Sequence, residues 1–305
     1  MTGSSLQRIA TETSTPPARG LRGRRPDEFN TERQVYEPHR VGLPPVGPYL
    51  RELWRRREFA FELARTNMRA QHLDTVFGRV WLIINPLLLA AVYFVLIDII
   101  RKGESRGEDF LAHLIAGIFV YYFVSGSVRE GARTVTRGGR LVLNTAFPRL
   151  LLPLSSVYGN FLRFLPTLPI FAIVHLVTGL PVGPELLLVI PLIALFVGVA
   201  AGLSMFVSTL QVYFRDLAQF LPYMLRLWLY LSPILYFADE VPDRYKIFVW
   251  LNPIGALLDG WSDVLILGEA PSLTVWLAGA AWALGLILVG SLFFMSRERD
   301  FAVRL

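Results

Sequence analysis

Six stretches of nearly unbroken apolar residues, at about 80–100, 111–128, 150–178, 186–210, 217–237 and 273–295, alternate with polar connections. A helix rises about 1.5 Å per residue, so about twenty apolar residues cross a hydrocarbon core about 30 Å thick. The pattern predicts an all-α polytopic membrane protein with six transmembrane helices. Ahead of the first stretch, Leu50, Leu53, Trp54, Phe61 and Ala64 recur roughly at helical spacing, interrupted by Arg55, Arg56, Arg57 and Glu58. An apolar face beside an arginine-rich face predicts an N-terminal interfacial amphipathic helix over 49–75, lying among lipid headgroups. Residues 1–48 mix Ser, Thr, Pro, Gly and Arg with few aliphatics and are expected to form a flexible cytoplasmic tail. No continuous apolar core of a signal peptide interrupts them, so the first span is expected to be retained. The remainder, 76–305, reads as one transmembrane domain.

Prolines refine the picture. Pro153, Pro166 and Pro169 fall within the third stretch, where each removes a backbone donor and predicts a kink. The connection 238–272 keeps short apolar pieces, Phe248 to Leu251, then Ile254, Leu257, Leu258 and Leu265. Such pieces cannot span alone, so short re-entrant or interface-lying helices are expected between spans five and six.

Charge then orients the chain. Arginine and lysine gather on cytoplasmic segments, and here 1–79, 129–149, Arg215 and 296–305 hold 23 of them against 5 on the opposite connections. Both termini are therefore expected in the cytoplasm and the chain in a bacterial plasma membrane. Lys102 and Lys246 are the only lysines among 30 basic residues, a skew that fits a GC-rich genome. The absence of cysteine excludes disulfides, thiolate metal sites and thiol nucleophiles.

Several chemistries are missing from the sequence. No GxxxxGK[ST] phosphate loop, HExxH or GxSxG occurs, and His39, His72, His113 and His175 are scattered. The chain is expected to bind no nucleotide, cofactor or metal of its own, and no nucleic acid. Ionisable residues inside spans are the default place to look for transport function, and the stretches contain Asp98, Arg163, His175 and Arg226. Asp98 and His175 lie near span ends, where they snorkel or pack. Arg163 and Arg226 lie deeper, either ion-paired or facing a polar conduit. Phe220, Tyr223 and Tyr230 share a helical stripe with Arg226, as a wall for sugars would, though core packing or an interfacial belt has the same spacing. The acids Asp239, Glu240, Asp243, Asp259 and Asp263 are the only cluster that would serve a membrane-embedded, polyprenyl-dependent glycosyltransferase, and no Asp-x-Asp pattern accompanies them. An ion-coupled carrier would require a midplane carboxylate, which the stretches lack.

Motifs now carry a resemblance. Thr75-Val76-Phe77-Gly78, Trp81 and Asn85-Pro86 open the first span; Asn144, Phe147-Pro148-Arg149 and Pro153-Leu154-Ser155-Ser156 lead into the third. Phe214-Arg215-Asp216-Leu217, Tyr230-Leu231-Ser232-Pro233, Val241-Pro242 and Leu251-Asn252-Pro253 follow. In this order, from about residue 50 to 300, they resemble ABC-2 type permeases of the polysaccharide exporter family. Gly260-Trp261-Ser262 departs from the aromatic-arginine pair that many such permeases carry.

The resemblance implies a homodimer working with two copies of a separate ABC ATPase subunit, which binds ATP and Mg. The cargo it implies is a lipid-linked, polyprenyl pyrophosphate polysaccharide; together with the arginine skew the resemblance is to exporters of galactan, while teichoic acid and O-antigen exporters share the motifs. Arg69, Arg79, Arg140 and Arg149, near the inner headgroups, are candidate pyrophosphate contacts through bidentate bonds. Phe220, Tyr223, Arg226, Tyr230 and Arg163 are candidate glycan-path residues. Arg133, Arg137, Arg215 and Asp216 are candidates for coupling to the ATPase.

Overall fold

The structure, a computed structural model, describes residues 43–70, 80–100 and 108–304. Most of the expected tail, residues 71–75 of the expected interfacial helix, and Arg79 lie outside them. Among the described residues every regular element is helical. In chain order these are α1 (Val46–Arg55), α2 (Arg57–Ala70), α3 (Trp81–Ile100), α4 (Glu108–Arg137), α5 (Gly139–Asn144), α6 (Leu151–Phe164) and α7 (Thr167–Val177). There follow α8 (Val189–Tyr213), α9 (Leu217–Leu231), α10 (Lys246–Leu251), α11 (Gly255–Ser262), α12 (Leu273–Arg297) and α13 (Phe301–Arg304). Among the described residues four helical stretches are long and apolar enough to cross a membrane: Asp109–Arg137, Leu151–Val177, Pro184–Tyr213 and Leu273–Arg304. Two further apolar helices are shorter, α3 with 20 residues and α9 with 15.

At the centre is α4, whose apolar window is 83% buried against 22% for the stretch containing α12. It packs on α6, α8, α3 and α9. The apolar pattern ends the second stretch near 128, yet the helix runs on to Arg137. Val128, Ala132 and Val135 continue its buried stripe at helical spacing, so packing sustains the helix while Arg129 between them is exposed.

The α8–α12 pair is the most extensive helix contact. A Cβ added to Gly290 would lie 2.3 Å from the Gly202 carbonyl oxygen, and one on Gly202 would lie 2.4 Å from the Leu286 carbonyl carbon. Two backbones approach this closely only where neither carries a side chain, which is how helices gain dispersion contact without a hydrophobic driving force in lipid. Ser272 caps the start of α12, its hydroxyl accepting from the Val275 N–H at 3.4 Å.

The third apolar stretch divides at Leu165–Pro166, between α6 and α7. Pro166 cannot donate, and the Leu168 N–H turns back to the Leu165 carbonyl at 3.2 Å, tightening the chain as the prolines predict. The fifth stretch ends earlier than its hydropathy suggests, at Leu231, because Ser232 is extended ahead of Pro233. Where one amphipathic helix is expected at the N-terminal side, the chain forms two, α1 and α2, with Arg56 at the break. Ala60 and Ala64 bury one face of α2 against α6, with Phe61 packed on Tyr158 at 4.6 Å between ring centroids.

Replacing Gly290 with Leu must separate α8 from α12. Overpacking of this kind costs about 1–3 kcal/mol or more, so Gly290→Leu is expected to lower the melting temperature in detergent by several degrees. A thermal scan of detergent-purified protein beside Gly285→Leu, whose Cβ meets open space, is the check.

Candidate functional site

Helix α9 is held by a single stripe. Leu221, Leu225 and Leu229, spaced four apart, are buried against α4 and α8. The Tyr121 hydroxyl of α4 donates to the Leu225 carbonyl, and Arg133 near the end of α4 donates to the Ala218 carbonyl at 3.1 Å. The opposite face carries Phe220, Tyr223, Arg226 and Tyr230, all exposed in the single chain. Tyr223 is 66% exposed, a large value for an aromatic on an apolar helix. The Tyr230 hydroxyl accepts from that of Tyr93 at 3.2 Å, joining α3 to the same face. Four of the five path candidates therefore lie together.

Arg163 is elsewhere. It extends from α6 to Glu130 of α4, Nη1 to Oε1 at 2.5 Å, while Asn160 Nδ2 donates to Glu130 Oε2 at 3.0 Å. Glu130 and Asn160, which the sequence pattern did not single out, are the partners the fold brings to this candidate residue. The apolar window closes two residues before Glu130, and only the helix continuing past it reveals a carboxylate facing the bundle.

The end of the bundle that carries α1 is tied together by residues 298–304. Glu298 accepts from the Tyr49 hydroxyl of α1 at 2.6 Å and from the Arg149 backbone N–H at 2.7 Å. The Arg149 guanidinium also donates to the Glu298 carbonyl at 2.5 Å. Tyr213 donates to Asp300 at 2.9 Å and lies beneath the Arg304 guanidinium, 4.3 Å from the ring centroid. Arg215 donates to the Arg304 carbonyl at 3.3 Å, and Asp216 beside it is exposed. Arg137 is exposed at the end of α4. Of the pyrophosphate candidates, Arg149 is engaged by Glu298; Arg69 and Arg140 belong to α2 and α5, with side chains outside the described residues.

On the opposite side, the motif residues around Ser232 and Asn252 form one clasp. Asn252 Oδ1 accepts from Trp228 Nε1 at 2.7 Å and from the Ile254 N–H at 3.2 Å, and its Nδ2 donates to the Ser232 hydroxyl at 2.9 Å. The clasp stops α9 and starts the cap formed by α10 and α11. Trp282 of α12 secures that cap by donating to the Trp250 carbonyl at 2.9 Å. The departure at Gly260-Trp261-Ser262 also packs inward: Trp261 meets Phe196 edge-on at 5.8 Å, and the Ser262 hydroxyl lies 3.0 Å from His113 Nδ1. Burial, with Asp259, Glu269 and Asp239 nearby, pushes the Asp263 carboxyl up to about 6.

The cluster around Glu298, a central helix and a small cap frame a helix with one exposed aromatic face. Residues 60–266 match the family described as ABC-2 type transporter. The chain belongs to the ABC-2 type transporter family. It is similar to the "O-antigen export system permease protein RfbA" of Klebsiella pneumoniae, 28% identical over 207 residues that cover 68% of this chain and 79% of the relative. It is also similar to the protein of that name from Myxococcus xanthus, 24% identical over 255 residues, 83% of this chain and 97% of the relative. In this ABC-2 chain the family match takes in α3, α4, α6 to α9 and the cap.

Two outcomes test the cap. Asn252→Ala strands the Trp228 donor in a buried place, which costs about 1–3 kcal/mol; the melting temperature in detergent should fall by more than for Trp228→Phe, which removes the donor itself. Asp263 has a folded pKa raised from 3.8 to about 6, so the folded cap binds the extra proton between those values. Its destabilising contribution is absent below the lower value and complete above the upper. The melting temperature is therefore expected to rise as pH falls from about 7 toward about 5, and Asp263→Asn should flatten that rise.

Proposed function

We propose that this chain is the membrane subunit of an ATP-driven exporter that moves a lipid-linked polysaccharide from the cytoplasmic to the outer face of a bacterial plasma membrane. The observation that carries the reading is the family match over residues 60–266 together with relatives named as O-antigen export permeases. Those names supply the cargo class, a polysaccharide; galactan and teichoic acid are alternatives within it. The polyprenyl pyrophosphate carrier is inferred from the resemblance of the motifs and from arginines near the inner headgroups.

In this reading the chain works as two copies, each with a separate ATPase subunit carrying ATP and Mg, because its own sequence has no phosphate loop. Both termini lie in the cytoplasm and α1 and α2 rest among headgroups. The six spans are α3, α4, α6 with α7, α8, α9 and α12. Helix α9, with 15 residues, covers about 22 Å; it suffices for a crossing because α10 and α11 form a re-entrant cap sunk below the outer surface. The exposed aromatic face of α9, beside Tyr93 of α3, supplies ring faces for pyranoses or furanoses, with Tyr hydroxyls at their polar edges. The two copies would bring two such faces to one path.

Arg133, Arg137, Arg215 and Asp216 sit where force from an ATPase would enter. Charge-assisted contacts at Arg215 and Asp216 would fix its register on this chain. Movement of the α8–α9 connection would then shift α9, whose apolar packing is one stripe of leucines.

Co-expression with a candidate ABC ATPase subunit, followed by purification and hydrolysis assays, tests the reading. A stable complex is expected, with ATP turnover that changes by about threefold or more when this chain is present. Turnover of glycan by this chain alone in liposomes would overturn it. In cells, joint alanine replacement of Arg69, Arg79, Arg140 and Arg149 is expected to reduce export of lipid-linked glycan; unchanged export would remove the pyrophosphate role.

A further inference from the structure

Two cavities follow the seam between α4 and α6. The lower, about 330 Å³, is walled by α2 and presents Asn67, Thr134, Arg137, Ser155 and Arg163. The upper, about 250 Å³, is lined by Trp81, Phe119, Phe123 and Phe164, with Arg129 and Asn160 at its polar end. Arg163 lines both.

Charge along this seam is unbalanced. Glu130 is the only carboxylate among the lining residues, and both of its oxygens are taken, by Arg163 and Asn160. Arg129 and Arg137 have no carboxylate partner among the described residues. Two guanidinium groups therefore border the cavities uncompensated, two turns apart on α4. Above them the lining turns aromatic and apolar. From Arg137 to Phe119 the wall changes from cationic to apolar over about 27 Å of helix, the profile of an amphiphile with an anionic head and a long apolar tail.

We propose that the α2–α4–α6 seam is a binding site for one lipid with a net-anionic phosphate head, its phosphate held by Arg129 and Arg137 and its chain laid against Phe119, Phe123 and Phe164. Planar guanidinium groups pair with phosphate oxygens in bidentate fashion, and the same two cations repel the quaternary ammonium of a zwitterionic head, so a net-anionic head is preferred. Glu130 keeps Arg163 from adding a third cation and directs the phosphate toward the two arginines on α4. The head lies at the end of α4 that the proposed orientation places toward the cytoplasm, so the lipid belongs to the inner leaflet. Because α2 forms one wall, an occupied seam fastens that amphipathic helix to the bundle. The phosphate chemistry fits a bilayer phospholipid and a polyprenyl diphosphate alike.

Native mass spectrometry of the delipidated full-length chain in detergent, titrated with phosphatidylglycerol or phosphatidylcholine, tests the site without requiring transport or an ATPase. One phosphatidylglycerol per chain is expected, bound about tenfold or more tightly than phosphatidylcholine, a difference of about 1.4 kcal/mol. Arg129→Gln with Arg137→Gln should abolish the preference, and the pair of lysine replacements should restore most of it. Equal binding of the two lipids, or an undiminished preference in the glutamine variant, overturns the proposal. Undecaprenyl diphosphate is then added as competitor. Displacement assigns the site to the prenyl carrier, whereas retained phosphatidylglycerol assigns it to bilayer phospholipid, and either result supports a phosphate site. Because this readout is independent of export, the site stands or falls apart from the cargo proposed above.

Discussion

A polar group inside an apolar helix bundle has no water to turn to, so it must find its partner within the protein. That constraint organises this chain. Glu130, Arg163 and Asn160 satisfy one another across the α4–α6 seam, and Asn252 gathers the end of α9, the cap and the Trp228 indole into one cluster. Around these fixed points run dispersive contacts: leucine stripes, ring edges and the glycine crossing of α8 on α12. Separating either member of a polar cluster exposes the other to hydrocarbon, so the clusters set register where apolar packing alone would allow helices to slide.

The restraints differ in kind along the molecule. Helix α4 is enclosed on nearly every side, α8 and α12 are locked backbone to backbone, and α9 is held by one row of leucines with hydrogen bonds at Ala218 and mid-helix at Leu225. The flank of α9 away from the leucines is the aromatic one, and it meets α3 where Tyr230 accepts from Tyr93.

Much of the fold was legible in the order of apolar stretches, because lipid tolerates few backbone arrangements and length alone then separates candidates. The Pro166 break and the paired short helices of the cap were legible for the same reason. Hydropathy was less informative at helix ends. It closed the second stretch before Glu130, since arginines lower the average even when small apolar residues between them keep packing. It carried the fifth stretch past Leu231, since Ile234, Leu235 and Phe237 are apolar but belong to the cap. At the candidate site, the aromatic stripe of α9 followed from spacing alone. The capture of Arg149 by Glu298 did not, because a partner 149 residues away leaves no local pattern. Likewise Ser232 and Asn252 stood out as motif residues, while their mutual bond emerged only when the chain folded.

Glu298 accepts from both Tyr49 and Arg149, and Asp300 and Arg304 engage Tyr213 and Arg215. The two extremities of the described helical body are thereby buckled together on one side, like the ends of a belt. Such a belt has no slack. The short bend between α8 and α9 is joined to α1 through residues 298–304, which makes that segment a drawstring for this side of the bundle.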